Sequence, residues 1–351
     1  MRTRGLLACA FLLLTFPARV FSGQAEETLN EALKLHEAGK IKEAIQLYSV
    51  AIKRNSKLAP AYFNRGNAYY DLKQNDQAIK DYSEALKLNP KDAEAYYNRG
   101  NAYRRLRKDN LALKDYSAAI KENPEDAKSY VNRGSIYFDA RRFDLAVKDF
   151  SDALRIDPKD GDVFYNRANA YLAMDKKEEA INDYNEAISL SPTTPEAYYN
   201  RGIAYADSGQ QDKAIEDFTE VIKLNPESAD AFYNRGLAKV KLGQHEPAIE
   251  DYSEAMRLNP KDPEAPYNRG LSYLRVGKYD YAGRDFSEVI RMRPRNADAY
   301  VYRGIVRIYQ KKERDADGDF HKAFQLDPAL RKKLQPLIDE AKEHATGKGG
   351  Q

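Results

Sequence analysis

The sequence predicts an all-α fold, a solenoid of antiparallel helix pairs, on three observations. Proline returns every 34 residues, as Pro90, Pro124, Pro158, Pro192, Pro226, Pro260, Pro294 and Pro328, and Asn55-Ser56 holds the same slot one period earlier without it. Aligned on that beat the segments superpose: residues 59–92 read APAYFNRGNAYYDLKQNDQAIKDYSEALKLNPKD, and residues 93–126 read AEAYYNRGNAYRRLRKDNLALKDYSAAIKENPED. Within each segment the aromatic and small residues fall at helical spacing in two runs, at repeat positions 4, 8 and 11 and then 20, 24, 27 and 28, so each run shares one helix face. A period of this length means stacked supersecondary units, because no single helix pair can bury its apolar stripe alone.

Along the chain, the first element is a leader. Arg2 and Arg4 precede an apolar run, Leu6 to Phe16, that is too short to span a bilayer and is followed by small residues. Residues 1–22 are expected to be a secretory signal peptide, cut after Ser22 or as late as Ala25. The repeat 25–58 is degenerate, with Thr28 at position 4 and Ala32 at position 8. Regular units follow at 59–92, 93–126, 127–160, 161–194, 195–228, 229–262 and 263–296. In each, small residues such as Gly66 and Ala78 let helices A and B approach closely, and the proline at position 32 stops helix B. The unit 263–296 is expected to be the softest, with Pro266 tolerated in a first helical turn and Gly283 at position 21. The unit 297–330 is atypical, carrying Asp317 and Gly318 where other repeats have an apolar and a polar residue. Residues 331–344 predict a cap helix interrupted at Pro336, and 345–351 a disordered tail.

Composition narrows the function classes. With 26 Tyr and 13 Phe the chain has too many rings to be disordered. It holds 57 Lys and Arg against 54 Asp and Glu, a net +3 with pI near 8.5. Arg2, Arg4 and Arg19 lie in the leader, which has no acid, so the remainder carries 54 of each sign and no net charge. The basic pI therefore gives no support to nucleic-acid binding. The basic clusters at Arg104, Arg105, Arg107 and Lys108 and at Arg291, Arg293 and Arg295 read as solvated helix ends. The single cysteine, Cys9, is in the leader, which leaves no disulfide and no thiol nucleophile. His36, His245, His321 and His344 occupy different repeat slots, so no metal site is expected; the run Asp315 to Asp319 departs from a calcium loop in its Gly318 and in Leu326. No phosphate loop or nucleophile elbow is present. The expectation is a protein that is not an enzyme, with no cofactor, no metal and no transmembrane segment once the leader is removed.

An aromatic at position 4, Gly at 8, Tyr at 11, Ala at 20, an aromatic at 24, Ala at 27 and Pro at 32 are Tyr62, Gly66, Tyr69, Ala78, Tyr82, Ala85 and Pro90 in the unit 59–92. Over nine units, residues 25–330, this pattern resembles the tetratricopeptide repeat (TPR) family. The resemblance implies a right-handed superhelix in which helix A of each pair lines a concave groove, with positions 2, 5, 6, 9, 12 and 13 toward a protein or peptide. Position 6 is Asn30, then Asn64, Asn98, Asn132, Asn166, Asn200, Asn234 and Asn268. This run is similar to the asparagine ladder of the TPR superhelix in O-linked N-acetylglucosamine transferase, which follows an extended peptide; an amide both donates and accepts. Position 5 supplies Phe63, Tyr97, Tyr165, Tyr199, Tyr233 and Tyr267, rings that offer large contact at low entropic cost. Position 9 passes from Asn67, Asn101, Ser135 and Asn169 to Ile203, Leu237, Leu271 and Ile305, and position 12 ends in Val240, Leu274 and Ile308. A groove polar in its first half and apolar in its second is predicted. Position 2 is mainly acidic (Glu94, Asp162, Glu196, Asp230, Glu264, Asp298), which argues for a neutral or basic ligand and against a carboxylate clamp.

Position 7 is Arg65, Arg99, Arg133, Arg167, Arg201, Arg235, Arg269 and Arg303, and position 23 of the same repeats is Asp81, Asp115, Asp149, Asp183, Asp217, Asp251, Asp285 and Asp319. The first repeat loses both together, with Glu31 and Leu47, so these residues are expected to form structural ion pairs within a repeat or between neighbours. The reading that follows is an exported scaffold, periplasmic or secreted, that grips an extended or helical peptide. The alternatives are a self-associating structural solenoid and an accessory subunit of an envelope enzyme or assembly complex.

Overall fold

The structure, a computed structural model, describes residues 23–345. The expected leader at 1–22 and most of the expected tail lie outside the described residues; Ala25, the later cleavage point, is buried in the first turn of the first helix. The described residues are all helix and turn, and they divide into two compact units, one running to Ile136 and one from Tyr137. The first unit holds α1 (Gln24–Glu37), α2 (Ile41–Arg54), α3 (Ala59–Asp71), α4 (Asn75–Leu88), α5 (Ala93–Arg105) and α6 (Asp109–Glu122); α7 (Ala127–Asp139) spans the boundary. The second continues with α8 (Phe143–Ile156), α9 (Gly161–Ala173), α10 (Lys177–Leu190), α11 (Pro195–Asp207), α12 (Gln211–Leu224), α13 (Ala229–Lys241), α14 (His245–Leu258), α15 (Glu264–Arg275), α16 (Tyr279–Met292), α17 (Ala297–Tyr309), α18 (Glu313–Leu326) and α19 (Ala329–Ala345). Each unit is thus a stack of helix pairs, the all-α solenoid architecture expected.

The core repeats with the sequence. In the first unit Tyr48, Tyr82 and Tyr116 at position 24 are buried; in the second, Phe150, Tyr184, Phe218, Tyr252, Phe286 and Phe320 are. Tyr82, Tyr116, Phe218, Tyr252, Phe286 and Phe320 each lie against the glycine at position 8 of their own helix A. A Cβ on Gly66 would stand 2.8 Å from the Tyr82 ring, so a side chain there would force the two helices apart. Unit 161–194 carries Ala168 in this slot, fully buried, so a methyl is the most the packing admits. Successive A helices also touch, α1 with α3 and α3 with α5, then α9 through α11, α13 and α15 to α17, which places their exposed faces side by side within each unit.

The turn from helix A to helix B requires a left-handed residue at position 15. Gly39, Gly209, Gly243 and Gly277 supply it, but Lys73, Arg107, Arg141, Asp175 and Lys311 adopt φ of 57° to 61° with a Cβ in place. The motif closes by Gln74 N–H donating to the Tyr69 carbonyl at 2.8 Å. Lys73→Gly and Asp175→Gly are each expected to raise stability by about 1 kcal/mol, the left-handed penalty outweighing the extra freedom of glycine when unfolded; unchanged urea midpoints would contradict this.

Two prolines fall differently. Pro266 is in the first turn of α15, where its missing N–H has no intrahelical acceptor to lose. Pro336 was expected to interrupt the last helix, and it does not: α19 runs through it. Leu330, Leu334, Ile338 and Ala341, on both sides of the proline, are buried in one cluster with Val301, Ile305 and Ile308 of α17. An interior proline costs about 3 kcal/mol, and burying this stripe offsets it. Ile305 and Ile308, expected to line the apolar end of the groove, are therefore core residues beneath α19. Among the described residues no helix is long and apolar enough to cross a membrane.

Candidate functional site

The A helices present the expected groove residues at one residue per repeat, half-buried, but their hydrogen bonds were not foreseeable. In the first unit, Asn98 Nδ2 donates to Asn67 Oδ1 at 3.2 Å and Asn132 Nδ2 to Asn101 Oδ1 at 2.9 Å. In the second, Asn200 Nδ2 donates to Asn169 Oδ1 at 3.0 Å and to the Tyr165 hydroxyl at 3.1 Å. Asn234 and Asn268 donate to the hydroxyls of Tyr199 and Tyr233 and to the backbone carbonyls of Asp230 and Glu264, all within 3.0 Å. Asn64 donates to the Pro60 carbonyl at 2.8 Å. Asn98, Asn132, Asn200, Asn234 and Asn268 thus tie their repeats to the ones before, and the last four also hold the position 5 ring of the preceding repeat. Asn132, Asn200, Asn234 and Asn268 commit both amide hydrogens inside the protein and Asn64 and Asn98 one each, while the amide oxygens of Asn98, Asn132, Asn200, Asn234 and Asn268 accept nothing from the described residues. Asn166 is half-buried on α9.

The position 5 rings lean on the core rings beneath them: Tyr97 on Tyr116, Tyr165 on Tyr184, Tyr199 on Phe218, Tyr233 on Tyr252 and Tyr267 on Phe286, with centroids 5.8 to 6.0 Å apart. These edge and tilted contacts fix the rings before any ligand arrives. Ile203 and Leu271 are half-buried beside them in the same clusters, and Leu237 is half-buried on α13.

A second pairing emerges beneath the groove. Tyr82, Tyr116 and Tyr184 donate to Asn67, Asn101 and Asn169 at 2.6 to 2.8 Å. Where position 9 is Ser or apolar, position 24 is Phe: Ser135 with Phe150, Ile203 with Phe218, Leu271 with Phe286 and Ile305 with Phe320. The first repeat has Leu33 and Tyr48, and His36 Nδ1 meets that hydroxyl at 3.3 Å. Leu237 with Tyr252 is the other exception, and the buried Tyr252 hydroxyl has no hydrogen-bond partner among the described residues. A buried unsatisfied hydroxyl costs about 1–3 kcal/mol, so Tyr252→Phe is expected to stabilise the protein by about 1 kcal/mol. Tyr116→Phe, which removes a made bond, is expected to destabilise it by a similar amount. Denaturation midpoints moving in the same direction would refute the pairing.

The Arg and Asp residues form forks inside one repeat. Arg65 Nε and Nη2 donate to Asp81 at 2.7 and 2.8 Å, and Arg99, Arg167, Arg201, Arg269 and Arg303 repeat the geometry with Asp115, Asp183, Asp217, Asp285 and Asp319. Arg235 forks onto Asp251, which also holds Lys239 at 2.7 Å. The third nitrogen reaches back one repeat: Arg167 Nη1 donates to Ser151 Oγ at 2.9 Å, Arg133 Nη1 to Ser117 Oγ at 3.0 Å and Arg201 Nη1 to Asn185 Oδ1 at 2.7 Å. Sequence reasoning missed this acceptor. Its signal is Ser, Thr or Asn at position 25 of the first eight repeats, from Ser49 to Ser287. Burial raises the carboxyls of Asp217 and Asp285 above the usual carboxylate value, against the opposing pull of their arginine forks.

The acids of position 2 stand beside the ring stripe. In the second unit Glu196 and Asp230 are exposed and, with Tyr165, Tyr199 and Asn200, line a cavity of about 200 Å³. Burial raises the Tyr199 phenol above its ordinary value and the Asp230 charge adds to it; Glu264 and Asp262 act likewise on Tyr233. The basic clusters are largely answered locally: Arg104 pairs with Asp109 at 3.1 Å, Lys108 with Asp76 at 3.6 Å, Arg293 with Glu264 at 2.6 Å and Arg291 with Glu288 at 2.5 Å, and Arg105 lies 3.5 Å above the Tyr70 ring.

Family profiles match residues 32–228 and 237–313. One described as TPR repeat matches 32–73, 66–107, 176–209 and 237–277; profiles described as tetratricopeptide repeat match 93–126, 127–160 and 195–228, then 150–182 and 267–313. No curated protein matches. Among solved structures, the C-terminal part of a TPR repeat-containing protein from Cytophaga hutchinsonii is 19% identical at a TM-score of 0.60, covering 68% of this chain and 98% of that one. A tetratricopeptide repeat protein from Parabacteroides merdae is 22% identical at 0.50, covering 71% and 99%. YrrB, described as a TPR protein with an unusual peptide-binding site, is 28% identical at 0.48, covering 52% and 97%. The first two share this chain's fold.

Proposed function

The chain belongs to the tetratricopeptide repeat family, and from that premise we propose that it is a non-catalytic scaffold binding an extended, basic peptide segment along its A helices. One observation carries the reading: Asn132, Asn200, Asn234 and Asn268 have spent both amide hydrogens inside the protein and keep their oxygens free to accept, beside preset tyrosine rings and the exposed carboxylates of Glu196 and Asp230. Acceptors of this kind suit peptide N–H groups and the cationic heads of Lys or Arg, which the ring faces also attract. An acidic segment would meet the exposed carboxylates of Glu196 and Asp230. The charged leader and its apolar run support export, to a periplasm or to the outside.

Fluorescence anisotropy with Lys/Arg-rich and Asp/Glu-rich peptides of equal length tests the ligand class. The basic set is expected to bind, and Glu196→Lys with Asp230→Lys to weaken it at least tenfold, about 1.4 kcal/mol. Equal binding of both sets, or no change in the double variant, would sink the proposal. The first residue of protein recovered from its native cells tests export, and a start at Met1 would refute it.

A further inference from the structure

A cavity of about 570 Å³ opens in the second unit between α16, α17 and the turn into α18, away from the groove residues. Two departures from the repeat make it. Position 21 is Ile, Leu or Val in the first seven repeats, and Ile181 and Ile249 are buried there; in the eighth it is Gly283. A Cβ at Gly283 would meet Val306 Cγ1 at 3.4 Å and Gln310 Nε2 at 3.9 Å, ordinary contact distances, so a side chain could start there without a clash and none is present. Position 11 is Tyr in most repeats, with a ring near the fork guanidinium, as Tyr205 is 5.7 Å from Arg201; in the last repeat it is Arg307.

The walls are unevenly charged. Arg303 and Arg307 share one carboxylate, Asp319, at 2.6 to 2.9 Å, and Arg307 Nη1 also donates to the Asp315 carbonyl. Arg291 is held by Glu288, and Asp280 accepts from Gln310 at 2.8 Å. Arg284 and Lys312 are exposed and have no carboxylate partner among the described residues, against two exposed carboxylates on the lining, Asp280 and Asp315. We infer that this cavity binds an oxyanion, a carboxylate or phosphate group, held by Arg284 and Arg307 with Lys312 closing over it. The volume is that of a small-ligand site, planar guanidinium forks match oxyanions bidentately, and concave walls concentrate the field of the unmatched cations. Tyr281, 53% exposed and stacked on Tyr273 at 5.2 Å, gives the rest of the ligand a flat surface beside Arg284.

The test titrates inorganic phosphate and succinate into the full chain at ionic strength held constant with chloride, by calorimetry and by thermal melting. Saturable binding of one or both anions is expected, with the preferred one identifying the group. Gly283→Ile, which restores the residue of neighbouring repeats, is expected to weaken that binding at least about tenfold without lowering the melting temperature. Arg284→Ala with Lys312→Ala, both exposed, is expected to do the same. Absence of saturable binding to either anion, or equal affinity in all three proteins, overturns the site.

Discussion

Replacing Arg167 by alanine is expected to cost about 3–5 kcal/mol, the penalty for stranding one partner of a buried ion pair. The side chain is only 18% exposed and Asp183 9%. All three donor nitrogens on the fork are used: two on Asp183, within its repeat, and one on Ser151, one repeat back. Removing the guanidinium therefore leaves an uncompensated buried carboxylate and also cuts a tie between repeats. Because stability in repeat arrays is a sum of repeat and interface terms, the loss should be local. Hydrogen exchange should rise in α8, α9 and α10 while α17 to α19 keep their protection. Replacing Arg167 and Asp183 together by Met and Leu should recover much of the loss, since an apolar pair of similar volume avoids desolvating charge. Unchanged stability in Arg167→Ala with lost peptide binding would instead make the arginines a ligand ladder.

Phe218→Ala is expected to destabilise the second unit by about 3–5 kcal/mol, as for other fully buried rings. The ring fills the space over Gly202, where a Cβ would stand 2.9 Å away, and supports Tyr199 at 5.8 Å. A groove ring without its backing regains rotamer freedom, so peptide affinity should fall along with stability. Gly202→Ala distinguishes packing from mere ring loss. It should destabilise the intact protein, where it meets the ring, and be neutral or stabilising in the Phe218→Ala background, where it fills part of the void. Additive effects in the double-mutant cycle would show that Gly202 and Phe218 do not constrain one another.

The Arg and Asp rows were legible because they vanish together in one repeat, but their geometry was not. Asp183 lies sixteen residues after Arg167 and Ser151 sixteen before it, so spacing alone cannot say which neighbour takes which nitrogen. The asparagine row was legible as a row and not as chemistry. An amide has donors and an acceptor, and only the positions of Asn169 and Tyr165 reveal that the Asn200 donors are spent. Gly283 reads in the sequence only as a soft point, because a missing side chain becomes a binding volume only when its neighbours, Arg307 above all, are known.

The 34-residue period, the two helical faces and the proline stop determined the fold from sequence alone, since periodicity and backbone limits are local properties repeated often enough to be unambiguous. The tertiary structure decided what local rules cannot reach. A buried stripe carries α19 through Pro336, the same stripe withdraws Ile305 and Ile308 from the groove, and the amides of Asn200, Asn234 and Asn268 are left with acceptors alone. Those outcomes depend on which group finds which partner across the stack, and a hydrogen bond already made inside the protein is one that a ligand cannot have.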